Sequence, residues 1–99
     1  MSSFHASLAL AGAPAAERAP RFLFAVYAEP APDVMPRVLE QFAKRDLVPT
    51  RWHSTVVAGP RAELQIDVQV EGLSLETGHY IARCMAALVN VREVLTSTA

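Results

Sequence analysis

Hydrophobic and polar residues alternate strictly between residues 63 and 71, and this is the clearest pattern in the chain. The odd positions carry Glu, Gln or Asp, and the even positions carry Leu64, Ile66, Val68 and Val70. Successive side chains of a strand point to opposite faces, so the pattern predicts a strand with one buried face and one wet, acidic face. Helices are therefore expected on only one face of the sheet.

Three other segments are predicted as strands. Residues 22–28 are apolar on both faces and lie between Pro20 and a second proline-rich stretch, which is typical of a central strand. Residues 47–57 are more polar in the middle, and we expect a partly exposed edge strand there. Residues 89–96 form a short valine-rich run that predicts a closing strand.

Two segments have the periodicity of amphipathic helices. The first begins at Asp33, whose carboxylate is predicted to cap the helix, with Pro36 in the first turn and Pro49 stopping any continuation. The second follows Ser74, another predicted N-cap, and its apolar stripe includes Cys84 as a small buried hydrophobe. The predicted element order is βαββαβ.

This order predicts a ferredoxin-like α+β sandwich, in which a four-stranded antiparallel sheet is covered by two helices on one face. Residues 21–97 are expected to form that domain. Residues 1–20 are rich in Ala, Ser, Gly and Pro and show no periodicity, so we expect a flexible N-terminal tail.

Composition narrows the function classes. The chain has 99 residues, one cysteine and a net charge of −1, so it is expected to form one core, without a disulfide and without the basic surface that nucleic acid requires. No apolar run approaches the roughly 18 residues that cross a bilayer. The N-terminus lacks the charged start of a secretory signal, so the expected location is the cytoplasm.

No catalytic residue, metal site or cofactor motif is predicted. His53 lies on the polar strand, and His79 and Cys84 point to different sides of a helix, which disfavours metal binding. Glycine-rich phosphate loops are missing.

Residues 29–47 resemble the opening of an ACT domain, in which a strand meets a helix start, with an aromatic near the helix end and a basic pair after it. Phe42, Lys44 and Arg45 match the aromatic and the pair. The ending between residues 88 and 94 is similar to that family's Leu-x-x-Val-x-x-Val pattern. Within the family, the chain resembles the short, single-domain form of the acetolactate synthase small (regulatory) subunit.

The resemblance implies a non-catalytic regulatory homodimer that binds the large catalytic subunit of a thiamine-diphosphate-dependent enzyme of branched-chain amino-acid synthesis. It also implies an amino-acid effector site at the strand-to-helix loop, where two ACT domains meet. The candidate ligand-binding residues are then Pro30, Ala31, Pro32, Asp33, Val34, Met35 and Pro49.

Three positions depart from the family pattern. Asp33 replaces the glycine that lets an effector approach the backbone, and Pro30 and Pro49 replace polar asparagines. A carboxylate at position 33 would repel the carboxylate of an amino acid, so the valine response is expected to be weak or absent. Trp52 is a candidate interface residue or an ordinary sheet residue.

Two alternatives remain open at this point. The chain could be a stand-alone ACT-type sensor of an amino acid or another small ligand. It could also be a small enzyme of the dimeric α+β-barrel kind, using His53 or Tyr80.

Overall fold

Six elements form the predicted four-stranded antiparallel sheet with both helices on one face. The structure, a computed structural model, describes residues 20–99, so nearly all of the predicted tail, residues 1–20, lies outside the described residues. The elements are β1 (Arg21–Ala28), α1 (Val34–Ala43), β2 (Arg51–Val57), β3 (Glu63–Glu71), α2 (Leu75–Ala86) and β4 (Val91–Thr98). The predicted element order is confirmed.

The strands lie in the order β2-β3-β1-β4, so β1 is central and β2 is an edge strand, as predicted. Strand β1 pairs on one side with β3 and on the other with β4, and all three pairings in the sheet are antiparallel. Phe24, for example, lies opposite Val68 of β3 and Thr96 of β4. The register in β1–β4 shifts between Tyr27 and Ala28, which places a bulge at Arg92.

The core lies between the helices and one face of the sheet. Alternate residues of β1 and β3 are buried there, which confirms the alternation between positions 63 and 71. The helices cover this face with the apolar side chains Val34, Val38, Phe42, Ile81 and Met85. The other face of the sheet carries the remaining side chains of the strands, and we call it the open face.

The two helix N-termini differ in a way that corrects one prediction. Ser74 caps α2 as predicted, because its hydroxyl accepts a hydrogen bond from the Thr77 N–H at 3.1 Å. Asp33 makes no capping hydrogen bond, and its carboxylate instead accepts one from Arg37 Nε at 3.0 Å. A cap accepts from the second or third helical N–H, and here the third residue is Pro36, which has none.

Two strand boundaries also differ from the prediction. Strand β2 begins at Arg51 rather than at residue 47, because the chain turns through Asp46 (φ 59°) and Pro49 has no N–H to donate. Its first contact with β3 is the hydrogen bond from Thr50 N to Gln69 O, at 2.8 Å. Strand β4 begins after Asn90 (φ 73°), two residues later than expected, and runs to Thr98.

Neither helix is long and apolar enough to cross a membrane.

Cys84 is half-buried rather than fully buried, and its Sγ lies 3.7 Å from an Arg45 guanidinium nitrogen.

Candidate functional site

The loop between β1 and α1, together with the first turn of α1, carries six of the predicted ligand-binding positions. Two backbone hydrogen bonds fold it: Ala31 N donates to Glu29 O at 2.8 Å, and Val34 N donates to Ala31 O at 3.2 Å. Val34 is buried in the core and Ala31 is half-buried. The exposed members are Pro30, Pro32, Asp33 and Met35. The surface available to a ligand is therefore made largely of two prolines and a carboxylate.

The start of α1 offers a ligand few hydrogen-bond donors. Val34 N is already bonded to Ala31 O, and Pro36 has no N–H. Arg37 N is bonded to Asp33 O. In the described part of the chain, the Met35 N–H is therefore the one donor in the first turn of α1 that lacks a backbone partner. Asp33 precedes Met35 by two residues, and its carboxylate is paired with Arg37. A ligand carboxylate would therefore find one free N–H in the first turn of α1, close in sequence to an acidic residue.

Pro49 lies at the opposite end of the sheet from this loop. Thr50, which follows it, bonds to Gln69, and Gln69 lies opposite Leu23, near the start of β1. Leu23 is five residues from Ala28, or roughly 17 Å at the usual rise of a strand. Within a single chain, Pro49 and the β1–α1 loop are therefore far apart.

Trp52 lies on the helix side of β2, opposite Val68. It is half-buried and packs against the core cluster. Part of its surface is therefore already used within the domain.

Arg92 forms a charged cluster that the sequence pattern did not indicate. Its guanidinium lies 2.8 Å from Glu29 Oε2 and 3.2 Å from Glu63 Oε2, and it donates to Ala62 O at 3.1 Å. The Arg92 side chain is only 18% exposed, because the bulge in β4 directs it across the end of the sheet. The three residues come from distant parts of the sequence, so only the pairing of β1 with β3 and β4 reveals them.

The cluster changes the acidity of its members. The hydrogen bond from Arg92 holds the pKa of the Glu29 carboxyl below its ordinary value of 4.5. The same hydrogen bond raises the pKa of Arg92. Both groups therefore stay charged over a wider pH range. The ion pairs of Arg92 with Glu29 and Glu63, which link β4 to the end of β1 and to β3, persist over that range.

The residues considered for catalysis are not brought together. His53 faces the open side of the sheet, opposite Asp67, whereas Tyr80 belongs to α2 on the other side. The Tyr80 ring instead lies 5.4 Å from the Arg45 guanidinium and 5.7 Å from that of Arg83. In the described part of the chain, no group of three or more His, Cys, Asp or Glu side chains is placed to hold a metal ion.

The open face has a depression of about 480 Å³. Its apolar part is lined by Leu23, Ala25 and Leu95, and its polar part includes Arg51 and Asp67. The register places these residues together: Ala25 lies opposite both Asp67 and Leu95. Sequence reasoning treated the acidic side of β3 as a solvated face and did not identify this site.

Solved structures with the same fold share little sequence with this chain. The C-terminal domain of the MgtC protein from Mycobacterium tuberculosis has a TM-score of 0.67 and 11% identity, covering 84% of this chain and 90% of that one. The ACT domain of GTP pyrophosphokinase from Chlorobium tepidum has a TM-score of 0.61 and 8% identity, covering 78% and 96%.

The ligand-free regulatory subunit of aspartate kinase from Thermus thermophilus has a TM-score of 0.61 and 14% identity, covering 80% of this chain but 50% of that subunit. No curated protein matches this chain in sequence. The model of the ACT-like domain family, however, matches residues 15–99. The chain therefore belongs to the ACT-like domain family.

Proposed function

We propose that this chain is a regulatory subunit that binds and modulates a larger catalytic subunit, in the manner of the acetolactate synthase small subunit. The observation that carries the proposal is the family match over residues 15–99, since ACT domains are regulatory modules without catalysis of their own. The resemblance of residues 29–47 and 88–94 to the acetolactate synthase small subunit supports the particular partner, a thiamine-diphosphate enzyme of branched-chain amino-acid synthesis in the cytoplasm.

A homodimer is part of the proposal. Strands β2 and β4 are the edges of the sheet, and an edge strand has backbone groups that can pair with another strand. Strand β2 also exposes Val56 and Val57, which are 58% and 43% accessible. Pairing at such an edge would cover these side chains and bring residues at the two ends of the sheet, such as Pro49 and the β1–α1 loop, within reach of a second chain.

We expect a weak or absent response to valine at the β1–α1 loop. Pro30, Pro32 and Asp33 make up most of the exposed surface there, and the first turn of α1 supplies a single free N–H, that of Met35. A negative charge near the bound carboxylate opposes binding.

The decisive experiment mixes the full chain with the large acetolactate synthase subunit encoded by the same genome. Activity gained on mixing, together with a complex seen by size-exclusion chromatography with light scattering, would support the proposal. Unchanged activity and separate elution of the two chains would contradict it.

Calorimetric titration of the full chain with valine, leucine and isoleucine tests the loop site. We expect little heat with the wild type and tighter binding with Asp33→Gly. Arg37→Gln is the matched control, because it removes the partner of Asp33 and keeps the carboxylate. If Asp33→Gly binds no better than the wild type, the steric and charge explanation is wrong.

The depression on the open face favours one other candidate, a stand-alone sensor of a small ligand. Such a sensor would bind its ligand and leave every large subunit unaffected.

A further inference from the structure

We propose that the depression on the open face binds a guanine base that carries no phosphate, either free or as the nucleoside. This surface is separate from the β1–α1 loop, and the proposal goes beyond the regulatory role because it concerns this chain alone. Three observations carry it: an arginine and an aspartate that converge on the depression without pairing, an apolar floor beside them, and acidic side chains around them.

The two charged residues are Arg51 on β2 and Asp67 on β3. Arg51 lies opposite Gln69, so Asp67 is its diagonal neighbour on the open face. Diagonal neighbours on adjacent strands are about 7–8 Å apart, within reach of a long side chain. Even so, neither residue forms an ion pair with the other or with any residue in the range 20–99, and neither does His53, which lies opposite Asp67. Both charges therefore face the same depression and remain open to a ligand.

A guanine base offers acceptors and donors side by side along one edge. Its N7 and O6 accept the two hydrogen bonds that a planar guanidinium donates, which is how arginine recognises guanine in DNA. The adjoining N1–H and 2-amino group donate to the two oxygens of a carboxylate. Neighbouring groups of one base thus match the neighbouring side chains Arg51 and Asp67. Adenine presents an amino group where guanine has O6, so its donor would meet the guanidinium.

The apolar floor lies on the far side of Asp67 from Arg51. Ala25 stands opposite Asp67 on one side and Leu95 on the other, and Leu23 flanks it two residues away. Leu95 is 49% exposed. A ring lying over the small Ala25 side chain would contact both leucines, which favours binding by about 25 cal/mol per Å² of apolar surface covered. Pockets for single bases combine apolar contacts to the ring with hydrogen bonds to its Watson–Crick edge in the same way.

The surroundings of the depression favour a base without phosphate. Glu71 lies on the same face, opposite Arg21, and Glu93 lies there opposite Tyr27. These carboxylates repel a phosphate and offset the charge of Arg21. The volume of about 480 Å³ falls within the range of roughly 300–1,000 Å³ for small-molecule sites.

Calorimetric titration of the full chain with matched nucleosides tests the proposal. We expect guanosine to bind most tightly. Inosine lacks the 2-amino group and 7-deazaguanosine lacks N7, so each loses one hydrogen bond to a charged side chain and should bind about tenfold more weakly. Adenosine should bind more weakly still. GMP should bind no more tightly than guanosine, because the acidic surroundings oppose its phosphate.

Variants identify the site. Arg51→Gln should weaken guanosine binding about tenfold. The matched controls are Arg21→Gln and Glu71→Gln, which remove one charge of each sign on the same face but outside the depression. These controls should bind guanosine as the wild type does.

Asp67→Asn should exchange the preferred base. Xanthosine has a carbonyl oxygen in place of the 2-amino group of guanosine, and the wild-type carboxylate repels it. The amide introduced at position 67 can donate to that oxygen and accept from N1–H, whereas it meets the 2-amino group of guanosine with one acceptor fewer. The variant should therefore bind xanthosine more tightly than guanosine, a gain that a misfolded protein would not show.

Several results would overturn the proposal. One is the absence of heat with guanosine. Another is equal affinity for guanosine, inosine and adenosine, and a third is guanosine binding that Arg51→Gln and Asp67→Asn leave unchanged. GMP binding at least about tenfold tighter than guanosine would assign the depression to a phosphate instead. No acetolactate synthase subunit is present in these experiments, so failure here is distinguishable from failure of the proposed partner.

Discussion

Gly78 of α2 lies directly against the ring of Phe22 in β1. A Cβ built at position 78 would stand 2.6 Å from Phe22 Cδ2 and closer still to Cε2 and Cζ. The ring is buried, 2% exposed, and its centroid lies 4.8 Å from that of Phe24 and 5.5 Å from that of His79. The absence of a side chain at this position therefore sets how closely α2 approaches the sheet.

We expect Gly78→Ala to destabilise the domain. Alanine is favoured over glycine inside a helix by about 1 kcal/mol, but overpacking a core costs about 1–3 kcal/mol. Because the neighbours of the Phe22 ring leave it little room to move, the second effect should dominate, with a net loss of up to about 2 kcal/mol. Urea denaturation monitored by circular dichroism measures this loss.

A double-mutant cycle tests the cause of that loss. Phe22→Leu removes the ring that the new methyl group meets, so Gly78→Ala should cost less in this background than in the wild type. The difference between Arg83→Ala and Arg83→Gly, at an exposed interior position of the same helix, reports the helix propensity alone. If Gly78→Ala costs the same with leucine at position 22, the contact does not explain the loss.

The two helix starts predict different responses to alanine. Ser74→Ala removes the hydrogen bond to Thr77 N and should cost about 1 kcal/mol. Asp33→Ala removes only an exposed ion pair with Arg37 and should cost about 0.5 kcal/mol or less. Urea midpoints of the two variants, measured side by side, provide the check. An equal loss for both would mean that Asp33 caps α1 after all.

Arg92 predicts a specific dependence of stability on pH. The folded-state pKa of Glu29 lies below its ordinary value of 4.5, so its contribution is present above that value and is lost as pH falls through the folded-state pKa. As pH falls below 4.5 and through the folded-state pKa of Glu29, the wild type should therefore lose stability more steeply than Glu29→Gln does.

Arg92→Gln should flatten the same profile, since it removes the hydrogen-bond partner of Glu29. Arg21→Gln, another charge removal on the sheet, serves as control. Urea denaturation at a series of pH values measures all four proteins. A wild-type profile parallel to that of Glu29→Gln would contradict the role given to the Arg92 cluster.

Trp52 allows the proposed dimer to be tested. Its half-buried ring packs on the core, so Trp52→Ala should lower monomer stability by about 2 kcal/mol, part of the loss seen for a fully buried aromatic. If the exposed part also anchors a second chain, the variant should shift a dimer toward monomer in light scattering at conditions where it remains folded. Trp52→Phe, which keeps an aromatic ring, should retain both properties. A dimer unaffected by Trp52→Ala would remove this residue from the interface.

Local patterns were sufficient for most of the architecture. The alternation around Ile66 identified a half-buried strand because a strand's faces repeat every second residue, and Ser74 identified a helix start because its hydroxyl caps a neighbouring N–H. Boundaries were less predictable where a residue adopts a positive φ. Asp46 and Asn90 both do so, and the following strands begin later than their apolar residues suggested.

The site was less accessible to sequence reasoning, because its parts meet only through strand pairing. Glu29, Glu63 and Arg92 are far apart in the chain and come together at one end of the sheet. Likewise, Asp67 resembles any other solvated acid until the register places Arg51 diagonally beside it. Pairing register is a tertiary property, so neither periodicity nor composition reports it.

The central position of β1 has a kinetic consequence. The first strand of the domain hydrogen-bonds to the last, with Leu23 opposite Ser97 and the backbones of Arg21 and Ala99 bonded to each other in both directions. Contacts between such distant residues require the closure of a long loop before they gain any free energy, and proteins rich in them fold slowly. The final strand must therefore reach β1 before the sheet is complete, and the rate of folding depends on that late encounter.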